Sequence, residues 1–69
     1  MDQIKITTYD RLMRAWENSQ ELTRDFEMYS KRIEEEEIKQ VFKKFAEDEC
    51  RHVSKLRSII DNYKDKLKD

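Results

Sequence analysis

The chain has 69 residues, of which 45% are charged and 36% hydrophobic. So short a chain forms one domain, and a lone core with so few apolar residues does not offset an entropy cost of roughly 1.5 kcal/mol per ordered residue. The formal net charge of -1 provides no long-range attraction for nucleic acids or anionic membranes. We therefore expect a single self-associating domain over residues 1–69 whose partners are neither nucleic acids nor membranes.

The cysteine content and the absence of glycine and proline narrow the class further. Cys50 is the single cysteine, so no internal disulfide can form and a reducing compartment is favoured. No signal peptide or membrane span is recognisable in the sequence, and we predict a cytoplasmic protein. Without glycine or proline, and with many Glu, Lys and Arg residues, the composition predicts an all-α fold.

The N-terminal segment differs from the rest of the chain. Ile4 and Ile6 alternate with polar neighbours, which predicts a short extended arm over residues 1–8, with a frayed tail as the alternative. Thr7 followed three residues later by Asp10 resembles a capping box at the start of a helix.

Two helical stripes follow the arm. Small or apolar residues recur at steps of three and four over 9–33, which predicts a first helix. Its stripe consists of Tyr9, Leu12, Trp16, Ser19, Thr23, Phe26, Ser30 and Ile33. The pattern stops and restarts in a different phase, which predicts a second helix over 35–67. The second stripe consists of Ile38, Phe42, Phe45, Glu49, His52, Leu56, Ile59 and Tyr63.

The junction between the stripes predicts an antiparallel helical hairpin. Lys31 and Arg32 precede it and Glu34–Glu37 follow, an order that suits both helix dipoles. The apolar arc of the first helix is widened to about 200°, more than one neighbouring helix can cover, by Leu22, Tyr29, Met13 and Trp16. We therefore predict that two hairpins dimerise into a four-helix bundle.

Glu49 and His52 are the two chemically unusual members of the second stripe. Both fall within about 40° of its centre on a helical wheel, and a buried carboxylate without a partner costs several kcal/mol. Because they lie three residues apart on a helix, the two side chains can bind the same ion. A carboxylate oxygen and an imidazole nitrogen are ligands that suit iron, manganese or zinc. The alternative is a polar cluster with Tyr9, Trp16 or Ser19 that sets the helix register. Cys50 falls about 120° from the stripe centre, which predicts a rim or surface thiol.

The run from Phe42 to His52, followed by Leu56 and Ile59-Ile60, resembles the second helix of a rubrerythrin-type half in the ferritin-like superfamily. The resemblance implies a ferritin-like bundle in which a Glu-x-x-His pair, here Glu49 and His52, contributes to a di-iron or related dinuclear centre.

The first helix departs from the family pattern. A further Glu is implied roughly thirty residues before Glu49, and that position is Ser19. Glu17 and Glu21 are close in sequence but point about 140° or more from the stripe centre. A dimer would thus supply two carboxylates and two imidazoles, a reduced set that favours metal binding over efficient oxidation.

Several functions remain open at this point. The resemblance implies a small iron-binding protein, with manganese or zinc as alternative metals, assembled as a homodimer or higher homo-oligomer; oxidase, peroxidase or storage activity would belong to this class. The rival is a non-catalytic interaction or structural module that has lost the metal. A third interpretation is a hairpin that completes its bundle with a different helical chain.

Overall fold

The computed structural model describes residues 7–67, with side chains for residues 7–64. Two helices, α1 (Thr8–Arg32) and α2 (Glu36–Leu67), pack against each other as a hairpin. The all-α hairpin predicted from the stripes is therefore confirmed. These bounds compare with 9–33 and 35–67 expected from the sequence. Residues 1–6 of the expected arm lie outside the described part of the chain.

The start of α1 is fixed by the predicted capping box. The Thr7 hydroxyl accepts a hydrogen bond from the Asp10 backbone N–H at 3.1 Å, and the Thr7 N–H donates to the Asp10 carboxylate at 3.2 Å. Thr7 itself is extended, with φ −85° and ψ 169°. The two bonds satisfy backbone donors that the first helical turn leaves without partners. This cap explains why α1 begins at Thr8.

The connection between the helices uses ordinary backbone conformations. Ile33 caps α1 in an extended conformation, with φ −79° and ψ 132°, while its N–H still donates to the Tyr29 carbonyl at 3.0 Å. No residue in the described chain has a positive φ, so the hairpin closes without glycine. Lys31 and Arg32 end α1, and acidic residues begin α2, as the helix dipoles favour.

Aromatic contacts fix the register of the two helices. Near the connection the Phe26 ring lies 5.8 Å from Phe42 and 5.6 Å from Phe45, measured between ring centroids. Near the open end Tyr9 stacks on Tyr63 at 6.4 Å. Because both ends of the hairpin are tied in this way, the middle of α1 lies at the height of the middle of α2.

Very little of the hairpin is fully buried. Among the described residues only Ser30, Ala46 and Ile60 are buried, at 5, 6 and 2% exposure, and no large side chain is completely enclosed. The other members of the α1 stripe are half-buried, in agreement with the predicted inward line. One neighbouring helix thus shields the apolar residues only in part.

The stripe of α2 requires a correction, because its apolar arc divides between two directions. Phe42, Glu49 and Leu56 are half-buried and Ala46 and Ile60 are buried, so they form the inward line. The members that recur every seven residues on one side of that line are exposed, apart from the half-buried Ile59. This outer series is Ile38, Phe45, His52 and Ile59. The single helix α1 is too narrow to cover the whole arc.

A matching outer series runs along α1 with the same seven-residue spacing. Seen from the N terminus of its own helix, each series lies about 90° anticlockwise of the inward line. The helices are antiparallel, so both series lie on the same side of the hairpin. We call this surface the open face; it consists of Ala15, Leu22 and Tyr29 of α1 with Ile38, Val41, Phe45, His52 and Ile59 of α2.

The cap makes a direct prediction for stability. Thr7→Ala removes the side-chain acceptor for the Asp10 N–H and should lower the free energy of unfolding by about 1 kcal/mol. Thr8→Ala is the matched control, since Thr8 is already inside the helix and alanine is the better helix former. Thermal unfolding followed by circular dichroism at one fixed protein concentration measures both. An equal loss in the two variants would contradict a capping role for Thr7.

Candidate functional site

Glu49 and His52 lie one turn apart on α2 and contact each other. The His52 Nδ1 atom is 3.3 Å from the Glu49 Oε2 atom. The Glu49 side chain is 17% exposed and that of His52 60% exposed. The pair therefore extends from the interface between the helices to the open face, with the acid inside and the imidazole outside.

His52 lies differently from the sequence-based expectation. Both residues were expected inside the stripe, but in the single hairpin only Glu49 is largely shielded. The reason is the division of the α2 arc: His52 belongs to the outer series with Ile38, Phe45 and Ile59. A neighbour packed on the open face would cover His52, whereas α1 does not reach it.

The Glu49 carboxylate has one oxygen that is shielded without compensation. Its Oε1 atom is buried and has no hydrogen-bond partner, while Oε2 faces His52. Such an atom loses its hydration without regaining a bond, at a cost of about 1–3 kcal/mol. The indole Nε1 of Trp16 on α1 is also buried without a partner. A bound cation or a hydrogen-bond donor would stabilise the Glu49 oxygen, and an acceptor such as a water oxygen would stabilise the indole N–H.

The first helix brings a serine to the height of this pair. The register places Ser19 opposite the turn that runs from Glu49 to His52; Ser19 is half-buried, and its carbonyl accepts a 2.9 Å bond from the Thr23 hydroxyl. Glu17 and Glu21 are exposed. Within the described residues, no group of three or more His, Cys, Asp or Glu side chains is arranged to hold a metal ion. One hairpin thus contributes two potential ligands.

A separate charged cluster lies on the exposed side of α2. The Asp48 carboxylate is 3.0 Å from the Lys44 Nζ atom and 2.6 Å from an Arg51 nitrogen. The hydrogen bond from Lys44 is the main reason that the pKa of Asp48 lies below its usual range, and Arg51 acts in the same direction. Asp48 is thus ionised and paired at neutral pH, and the pairing is lost only as pH falls through this lowered pKa.

The side of the hairpin opposite the open face carries two further features. The Arg57 guanidinium lies 5.3 Å from the centre of the Trp16 ring, a cation–π contact that sequence spacing could not reveal. Cys50 is a free and exposed thiol, which confirms its predicted surface position. Neither residue approaches the open face, so the metal-ligand candidates stay Glu49 and His52.

Comparison of the chain with protein-family models, with curated proteins and with solved structures gives no match. Over the described residues, neither helix is long and apolar enough to cross a membrane.

The uncompensated oxygen of Glu49 predicts an unusual response to substitution. Glu49→Leu should raise the free energy of unfolding of metal-free protein by about 1 kcal/mol, because it removes a shielded, unpaired oxygen and keeps the apolar volume. His52→Ala should change it by less, since His52 is exposed. Urea unfolding in the presence of a chelator measures both. A clear loss of stability in Glu49→Leu would show that the carboxylate has a partner.

Proposed function

We propose that this chain is a self-associating helical-hairpin module, in which two copies pack their open faces together into a four-helix bundle. The observation that supports it is the extent of apolar surface left uncovered on one side. Five large residues of the open face are 40–44% exposed, namely Leu22, Tyr29, Ile38, Val41 and Phe45. A continuous apolar patch of this kind is typical of an interaction surface.

The spacing of the open face favours a helical partner. Apart from Val41, its members recur every seven residues on both helices, which is the repeat of helices packed at a shallow angle in bundles and coiled coils. The hairpin alone buries only Ala46 and Ile60 among the described apolar residues. Association therefore supplies the burial that a chain of 69 residues needs to stay folded.

Leu22 and Met28 provide a matched test of this surface. They are 40% and 44% exposed, but Leu22 lies on the open face and Met28 on the outer side of α1. Leu22→Glu should weaken dimerisation at least about a hundredfold, because each dimer loses two buried leucines worth about 1.5–3 kcal/mol apiece. Met28→Glu should leave it unchanged. Sedimentation equilibrium gives both dissociation constants.

Two outcomes would contradict the self-association. A wild-type chain that stays monomeric and helical at high micromolar concentration needs no second copy. Equal weakening by Leu22→Glu and Met28→Glu would place the contact elsewhere. A further check is the melting temperature, which should rise with protein concentration when folding and association are coupled.

A second candidate function, metal binding by Glu49 and His52, is favoured by a different observation. The Glu49 Oε1 atom is shielded and unpartnered, so a cation at this position would compensate it. The imidazole beside it keeps its Nε2 atom, which is not directed at Glu49, as a possible ligand. The resemblance of α2 to a rubrerythrin-type helix supports the same pair. Iron is the metal that this resemblance favours, with manganese and zinc as the alternatives.

The donor set fits one metal ion better than two. Each copy offers one carboxylate and one imidazole, so a dimer provides four donors, enough for a four-coordinate site. A bound metal would supply positive charge to two shielded carboxylates and would tie the copies together. Ser19 holds the position of the implied additional Glu, and this absence favours binding without redox turnover.

Metal affinity can be tested without any activity assay. Protein purified without chelator should contain iron, manganese or zinc, and His52→Ala and Glu49→Gln should each lose it, while the exposed Glu47→Gln serves as the matched control. Ser19→Glu adds a carboxylate at the same height and should raise the affinity about tenfold or more. Elemental analysis and equilibrium dialysis against each metal provide the measurements. Wild-type protein that takes up none of the three metals would contradict the site.

A further inference from the structure

The charged residues that border the open face determine how a second copy can be oriented. On the outer edge of α1 the residues at seven-residue spacing are Arg11, Asn18, Asp25 and Arg32. On the outer edge of α2 there are two neighbouring series with this spacing, one with Glu37, Lys44 and Arg51 and the other with Asp48, Lys55 and Asn62. In a face-to-face pair these edges meet the edges of the second copy, as flanking positions do in a coiled coil.

A two-fold pair of open faces has two possible arrangements. If the axis runs parallel to the helices, α1 of each copy lies against α2 of the other. If the axis crosses the helices at right angles, α1 lies against α1 and α2 against α2. Both arrangements are closed and self-complementary, so the apolar surface alone does not select between them. The charges along the edges differ between the two.

A two-fold axis parallel to the helices leaves the position of each residue along the helices unchanged. Residues of α1 and α2 that the aromatic contacts hold at the same height within one hairpin therefore also lie at the same height across the interface between copies. Asp25 then lies opposite Lys44 of the second copy, and Arg32 opposite Glu37. The neutral Asn18 lies opposite Lys55 of the second copy, and the neutral Asn62 lies opposite Arg11 of the second copy. Asp48 also lies near Asp25, but it forms ion pairs with Lys44 and Arg51 on its own helix. This cluster of two basic residues and one acidic residue stays net positive and attracts Asp25. Two opposite-charge pairs thus form on each edge, four in the dimer.

With the perpendicular axis, full overlap of the faces brings like charges together. The centre of the open face, near Leu22 on α1, then lies on the axis, so Asp25 approaches the neutral Asn18 and Arg32 approaches Arg11 of the second copy, and no opposite charges meet on the α1 edge. On the α2 edge Lys44 approaches Lys55 in the same way. Like charges at flanking positions are destabilising by amounts similar to those that opposite charges contribute. The edge charges therefore favour the parallel axis.

We propose that two copies pair about a two-fold axis parallel to the helices, with α1 of each copy against α2 of the other. The proposal rests on the self-association proposed above and identifies its partner as a second copy in one orientation. In this arrangement His52 lies at a height between Ala15 and Leu22 on the open face of the second copy. Both Glu49–His52 pairs lie at the same height on either side of the axis.

Charge-swapped variants provide the test, because Asp25 and Lys44 occupy opposite outer edges of one hairpin and meet only between copies. Asp25→Lys alone and Lys44→Glu alone should each weaken the homodimer about tenfold, since each places two like-charge pairs in the interface. An equimolar mixture of the two variants should dimerise about as tightly as wild type, because both contacts of the mixed pair are again attractive. Glu17→Lys, outside the open face, is the matched control.

The outcomes separate this proposal from the one on which it rests. The expected result, measured by native mass spectrometry of isotope-labelled chains, is that Asp25→Lys and Lys44→Glu form the heterodimer in preference to either homodimer. Glu17→Lys mixed with Lys44→Glu should give no more than the statistical share of heterodimer, because that mixed pair keeps one like-charge contact. A wild-type dimer whose two charge variants do not recover on mixing overturns the parallel axis and leaves self-association intact. A wild-type chain that never dimerises overturns both.

Discussion

The constraint on which this structure depends is the width of the apolar arc on each helix. A helix in a hairpin has a single neighbour, and that neighbour covers roughly half of an arc of about 200°. The covered half produces the ring contact between Phe26 and Phe42. The uncovered half produces the open face. Both the stability of the chain and its proposed partner follow from this division.

The two-helix architecture could be predicted because it depends on local patterns. The change of phase between the stripes separates the helices, and Thr7 with Asp10 identifies the first boundary through bonds only three residues apart. The direction of His52 could not be predicted in this way. A wheel locates a residue on its own helix, but burial depends on which part of the arc the neighbour covers. Ala46 and Ile60, which are not members of the second stripe, are the most shielded apolar residues in the described part of the chain.

The candidate site combines the two kinds of information. Sequence spacing identified Glu49 and His52 as a pair, and the structure brings them to 3.3 Å. Packing adds what spacing could not: the acid is enclosed at one oxygen while the ring remains on the open face. An enclosed carboxylate oxygen without a partner is seldom kept in a well-packed interior. Its presence links the chemistry of the site to whatever covers the open face, because the same contact that buries His52 would also complete the environment of Glu49.

The cation–π contact between Trp16 and Arg57 makes Trp16 an intrinsic fluorescent probe of the packing between the two helices. Trp16 is the single tryptophan, and its ring is held against α2 by a guanidinium 5.3 Å away, on the side remote from the open face. We therefore expect indole emission to change when α1 separates from α2 and to change little when a partner binds the open face. Closure of one hairpin and joining of two can thus be followed as separate events in the same sample, the first by fluorescence and the second by mass.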